Sequence, residues 1–130
     1  MNKKDFIKYW IRTADKDWKA VQQLYEGKSY VQSLFFTHLI LEKLCKALWI
    51  RDNENNHPPR IHNLNTLLSN TKIELKEEQL KFIILMNDFQ LEGRYPDYSE
   101  KIYKRCNAKY TMSIIIEATA LRKWLLKNLR

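Results

Sequence analysis

YVQSLFFTHLILEKLCKALW, residues 30–49, is the stretch whose reading decides the fold. It holds neither glycine nor proline. Its apolar side chains Val31, Leu34, Phe35, Leu41, Leu44, Cys45, Leu48 and Trp49 recur at helical spacing, which lays them along one stripe of an α-helix. Leu39 and Ile40 widen that stripe beyond one face, so the helix is expected to be central, with neighbours on two sides. Ser29 and Gln32 stand ahead of it at capping-box spacing. The polar run Asp52-Asn53-Glu54-Asn55-Asn56 and then Pro58-Pro59 end it near residues 50–52.

Outward from this stretch, residues 4–26 predict a first helix. Ile7, Trp10, Ile11, Ala14, Trp18, Val21, Leu24 and Tyr25 form its apolar stripe, and Gly27 is its expected stop. Asn63 is placed to cap a short third helix carrying Leu64, Leu67 and Leu68. Residues 77–91 predict a fourth, with Leu80, Ile83, Ile84 and Met86 toward the core, stopping at Gly93. A last helix from about 104 to 128 offers Met112, Ile115, Ile116, Thr119, Leu125 and Leu129. The expected architecture is all-α: an up-and-down antiparallel four-helix bundle with a short extra helix after the second, one domain over residues 1–130.

Composition narrows the functional classes. Two glycines and three prolines in 130 residues cannot supply the turns of a sandwich or barrel, nor the clustered glycines of a dinucleotide or phosphate loop. Cys45 and Cys106 read as small buried apolar residues without metal-ligand spacing. The chain opens on a charged segment and has no run of about 18 apolar residues. A cytoplasmic location, no membrane association and no cofactor are therefore expected. The net charge is +8, and it is uneven: +3 over residues 1–30, −1 over 31–99 and +6 over 100–130. A basic C-terminal segment attracts phosphate-bearing ligands; its alternative is a solvated helix surface.

Three groups of residues are candidates for chemistry. His38 falls mid-helix among apolar residues and reads as a hydrogen-bonded core histidine. His57 and His62 are separated by Pro58-Pro59, which denies them helical metal-pair geometry. In the stiff loop around them, Arg60 and His62 offer donors to a phosphate, or His62 ties the loop to the bundle. Gly93-Arg94-Tyr95-Pro96-Asp97-Tyr98 breaks the chain between two long helices. Arg94 can clamp a phosphate, Tyr95 or Tyr98 can stack on a base, and Asp97 can hold the arginine. Alternatively Arg94 and Asp97 only fix the turn. Lys101, Lys104 and Arg105 follow as cations at the start of the basic segment.

Four pieces in order carry a resemblance: Ala14-Asp15-Lys16-Asp17-Trp18-Lys19-Ala20, Glu42-Lys43-Leu44-Cys45-Lys46-Ala47-Leu48, Pro58-Pro59-Arg60-Ile61-His62-Asn63-Leu64 and Gly93-Arg94-Tyr95-Pro96-Asp97. Together they resemble the HEPN domain family over nearly the whole chain. The resemblance implies a helical bundle that pairs as a homodimer. It also implies nucleotide or RNA binding and, for small prokaryotic members, a minimal nucleotidyltransferase partner in a toxin–antitoxin-type pair. Other members are metal-independent ribonucleases with an Arg, four to six residues, then a His. From Arg94 that histidine would fall at 99–101, which are Ser99, Glu100 and Lys101. Arg51 and His57 have five residues between them, a spacing read as coincidence because it lies away from the family's usual site. The expectation is therefore binding without catalysis, at Arg94, Tyr95, Asp97, Tyr98, His62, Arg60, Lys101, Lys104 and Arg105. The alternatives are a ribonuclease in which His62 or His57 works with Arg94, and a purely structural dimeric module. Tyr98 and Tyr103 lie where family partners modify a tyrosine with adenylate.

Overall fold

The computed structural model describes residues 1–90 and 100–130. Six α-helices follow in order: α1 (Lys3–Glu26), α2 (Tyr30–Asp52), α3 (Leu64–Ser69), α4 (Glu77–Met86), α5 (Lys101–Arg105) and α6 (Ala108–Leu129). A 3-10 turn, Asn87–Phe89, continues α4. The described residues contain no strand.

Contacts between chain ends fix the directions. Lys3 at the start of α1 donates to the Ile50 and Asn53 carbonyls at the end of α2, while the Ser33 hydroxyl donates to the Val21 carbonyl at the other end. The two helices are thus antiparallel. Lys3 also places a cation on carbonyls that the helix itself leaves unpaired. Gln32 reaches Tyr103 in α5, and Arg51 reaches the Asn128 carbonyl near the end of α6, so α2 and α6 run the same way. Tyr25 donates to the Ala108 carbonyl and Arg122 pairs with Asp15, setting α6 antiparallel to α1. The bundle is up-and-down, with α3 as the short extra element.

The second helix is central, as its widened apolar stripe predicts. Leu34, Leu44, Ala47, Leu48 and Ile50 are completely buried. Leu34, Leu44 and Leu48 pack with Ala14 and Val21 of α1, Leu64 and Leu67 of α3, Ile83 and Met86 of α4, and Leu125 of α6. Cys45 and Cys106 are buried and reduced, and burial pushes the Cys45 thiol up, away from thiolate chemistry.

Several local expectations are corrected. Ser29 occupies the N-cap of α2 but its side chain makes no capping bond. Gly27 ends α1 as expected, though with φ −79°, and the left-handed residue is Lys28, φ 63°. The Lys28 and Ser29 amides donate to the Tyr25 and Leu24 carbonyls, which is a Schellman stop built on lysine. The fourth helix is shorter than expected, and Leu80 and Ile84 are exposed while Phe82 and Phe89 fill the core. The last helix is split at Cys106: Asn107 caps α6 by accepting from the Tyr110 amide. Its buried face is Thr111, Ile114, Ile115, Ala118, Leu121 and Leu125, and Ile116 is solvent-facing. Three consecutive isoleucines leave the face undecided by hydrophobicity; the small residues Thr111 and Ala118 mark it. Asn63 caps α3 as expected, accepting from the Thr66 amide at 3.0 Å.

Candidate functional site

The middle of α2 carries three polar residues one helical turn apart: His38, Glu42 and Lys46. Side chains four apart share a helix face, so the three form a polar line along one face of the helix. All are buried: His38 is 2 % exposed and Glu42 4 %. A carboxylate taken out of water must be paired, and Glu42 is. It accepts from Lys46 Nζ at 3.0 Å and from His62 Nδ1 at 2.9 Å, with His38 Nδ1 4.0 Å away.

The loop reaches Glu42 for local reasons. Pro58-Pro59 prevents continuation of α2, the Ile61 amide closes a turn on the Pro59 carbonyl, and Asn63 starts α3 immediately after His62. Asn87 locks this corner to the end of α4: its oxygen accepts from the Leu64 amide and its nitrogen donates to Asn65. His62 therefore ties the loop to the bundle, and at one-third exposure its side chain also meets solvent.

Between them lies a cavity of about 200 Å³, walled by Phe35, Phe36 and Leu39 and edged by His38, Glu42, His62 and Gln90. Burial pulls the His38 imidazole below its ordinary pKa of 6.5, opposed by the attraction of Glu42 and by the nearby His62 backbone and Asn87 side chain. The ring is therefore neutral at neutral pH. Its Nε2 is buried without a hydrogen bond of normal geometry, although the Asn87 side chain lies close enough to act on the ring. Gln90 is the last described residue before 91–99, so Arg94, Tyr95, Asp97 and Tyr98 lie outside the described residues.

The remaining candidates scatter. Arg105 pairs with Asp88 at 3.6 Å and lies over the rings of Tyr110 and of Phe89, the residue before Gln90. Lys101 and Lys104 are exposed on α5, and Arg60 is exposed in the proline loop. The Tyr103 hydroxyl accepts from Gln32 Nε2 at 3.4 Å and its side chain is exposed. Arg51 and His57 are apart: Arg51 forks onto Asp52, holding that carboxyl below the usual carboxylate range, whereas His57 packs edge-on against Phe6. Among the described residues no group of three His, Cys, Asp or Glu side chains is arranged to hold a metal ion. No helix of the described residues is long and apolar enough to cross a membrane.

Glu42 and Lys46 were legible only as part of a motif. The usable signal was the four-residue spacing of His38, Glu42 and Lys46 in an apolar helix, since buried ionisable groups need one another.

A helical bundle with a buried polar line on its central helix, met by a Pro-Pro-x-x-His loop, defines the class. The HEPN domain family model matches residues 7–129, nearly the whole chain, and the protein belongs to the HEPN family. That membership places it broadly among nucleotide- and RNA-related domains. Comparison with the curated proteins and with the solved structures returns no match.

Proposed function

We propose that this single-domain protein is a nucleotide- or RNA-binding HEPN module whose site centres on the cavity beside His62. The observation that carries the reading is the cavity itself: a buried imidazole next to a histidine anchored on a buried carboxylate. Pockets of this kind, apolar with a few convergent polar groups, are where ligands bind. Arg94 stands four residues after Gln90 in the sequence. In this reading Arg94 clamps phosphate, Tyr95 and Tyr98 stack on a base, and Asp97 orients the arginine, while Arg60, Lys101, Lys104 and Arg105 add attraction for the backbone. The module acts as a homodimer, without catalysis, beside a minimal nucleotidyltransferase in a toxin–antitoxin-type pair, with Tyr98 or Tyr103 as the tyrosine open to modification.

The test is titration of single-stranded RNA into wild type, Arg94→Ala and His62→Ala at two salt concentrations. Each substitution is expected to weaken binding about tenfold, the loss of one charge-assisted contact. The salt dependence should fall in Arg94→Ala. Equal affinity and equal salt dependence in all three proteins would overturn the assignment.

One observation favours a second reading, a metal-independent ribonuclease. Glu42 sits 2.9 Å from His62 Nδ1, and a carboxylate on one ring nitrogen sets the tautomer in which the other is the base. His62 would then take the proton of a 2′-hydroxyl while Arg94 stabilises phosphate charge. Cleavage of single-stranded RNA in chelator, abolished in His62→Ala, decides for it; absence of cleavage at high protein concentration decides against it.

A further inference from the structure

We propose that a second cavity, between the start of α1 and the Asn-rich loop after α2, binds a nucleobase. It is an open cavity of about 260 Å³ lined by Phe6, Tyr9, Trp10 and His57 together with Met1, Asn56 and Pro58. This site is separate from the cavity beside His62 and does not depend on the function proposed for it.

Two edge-to-face pairs shape the lining. Phe6 and His57 have ring centroids 5.3 Å apart at 74°, and Tyr9 and Trp10 have theirs 5.6 Å apart at 78°. Four rings around one small space suit a flat ring rather than an alkyl chain. The volume is below the roughly 300 Å³ at which pockets begin to hold drug-sized ligands. It therefore fits one ring system, not a whole nucleotide. Asn56 adds polarity: its Oδ1 is buried with no hydrogen-bond partner. A buried acceptor left unmet is destabilising, and a ligand presenting an N–H to it removes that penalty. Met1 is 76 % exposed, so its side chain is the cheapest to displace as a ligand enters.

Charge chooses between the two ligands that aromatic cavities favour. Alkylammonium groups bind over ring faces. Here the Tyr9 ring already has the Arg12 guanidinium 6.0 Å from its centroid, and Trp10 has Lys46 Nζ at 5.3 Å. A further cation would be repelled, whereas a neutral base with an N–H edge would not. Lys4, Lys8 and Arg60 are exposed in the same two segments, where they can meet phosphates flanking a bound base.

The base can belong to a free nucleoside or to single-stranded RNA, and the experiment separates them. Isotope-labelled full-length protein is titrated with adenosine, ribose 5-phosphate, tetramethylammonium or a short single-stranded RNA. The Trp10 indole, His57 ring and Asn56 amide resonances are followed. Adenosine is expected to shift all three saturably, and the other two small probes are not. Asn56→Leu, which replaces the unmet oxygen by apolar atoms of similar size, should weaken adenosine about tenfold; Tyr9→Ser should do the same by removing a stacking face. RNA binding tighter than adenosine, with salt dependence, identifies an RNA base as the source, and equal affinity identifies a free nucleoside.

Absence of shifts with millimolar adenosine would overturn the proposal. So would equal shifts with ribose 5-phosphate, stronger shifts with tetramethylammonium, or adenosine affinity unchanged in folded Asn56→Leu and Tyr9→Ser. Arg94→Ala should leave the adenosine response intact, so failure at either site is read separately from failure at the other.

Discussion

The two cavities hold buried polarity differently, one around an ionised pair and the other around a single neutral acceptor. Beside His62, polar atoms face one another: Glu42 accepts from Lys46 and His62, with His38 close by. Beside Trp10, aromatic rings dominate and the amide oxygen of Asn56 is left alone. Lys46 touches one residue of each, pairing with Glu42 while lying over the Trp10 ring. Where charge is buried, the fold depends on keeping every partner; where a single neutral acceptor is buried, the fold tolerates its loss.

The largest expected effect tests the first half of that contrast. Glu42→Ala strands Lys46 and the loop histidine, and breaking one partner of a buried ion pair costs about 3 kcal/mol or more. Urea denaturation measures it, and a loss under about 1 kcal/mol would show that the network contributes little to stability. Next is the pH response of the same cavity. The folded-state pKa of His38 lies below 6.5, so between that pKa and 6.5 the unfolded chain binds more protons. Stability from this group is intact above 6.5 and is lost as pH falls through the window, at no more than about 1.4 kcal/mol per pH unit. His38→Gln should remove that part of the slope, and an unaltered pH profile would place the proton uptake elsewhere.

A reference far from both cavities comes third. Lys28→Gly relieves a left-handed lysine and should raise stability by about 1 kcal/mol, visible as a higher urea midpoint with an unchanged slope. The smallest effect belongs to the aromatic cavity. Asn56→Leu should leave stability within about 0.5 kcal/mol of wild type or raise it, because both the oxygen and its unmet desolvation disappear together. A loss comparable to that of Glu42→Ala would erase the distinction between the two regions.

Much of the bundle was legible in the residues because the signals were local. The apolar stripe of residues 30–49, the Asn63 cap and the proline stop each act within a few positions. The boundaries that moved are those set by tertiary packing. Lys28 accepts a strained conformation because the α1–α2 corner requires a left-handed residue there, and nothing in lysine announces it. Ile116 faces solvent because Thr111 and Ala118 occupy the face turned to the core. The candidate site was half legible: His62 stood out beside its prolines, whereas Glu42, His38 and the loop come together only through a contact spanning twenty residues. Trp10 and Asn56 read individually as stripe and loop residues, Tyr9 carried no signal, and only the turn back after α2 makes them one lining.

The deep burial of most of α2 has a consequence for how the molecule opens. Its central amides, around residues completely shielded such as Leu44 and Ala47, are reached by solvent only when the whole bundle comes apart. Hydrogen exchange there reports global unfolding. The five-residue α5, with four of its side chains exposed, can open on its own at far lower cost. The chain thus places its basic α5 residues on the segment that is easiest to rearrange and its ionised pair on the helix that yields last.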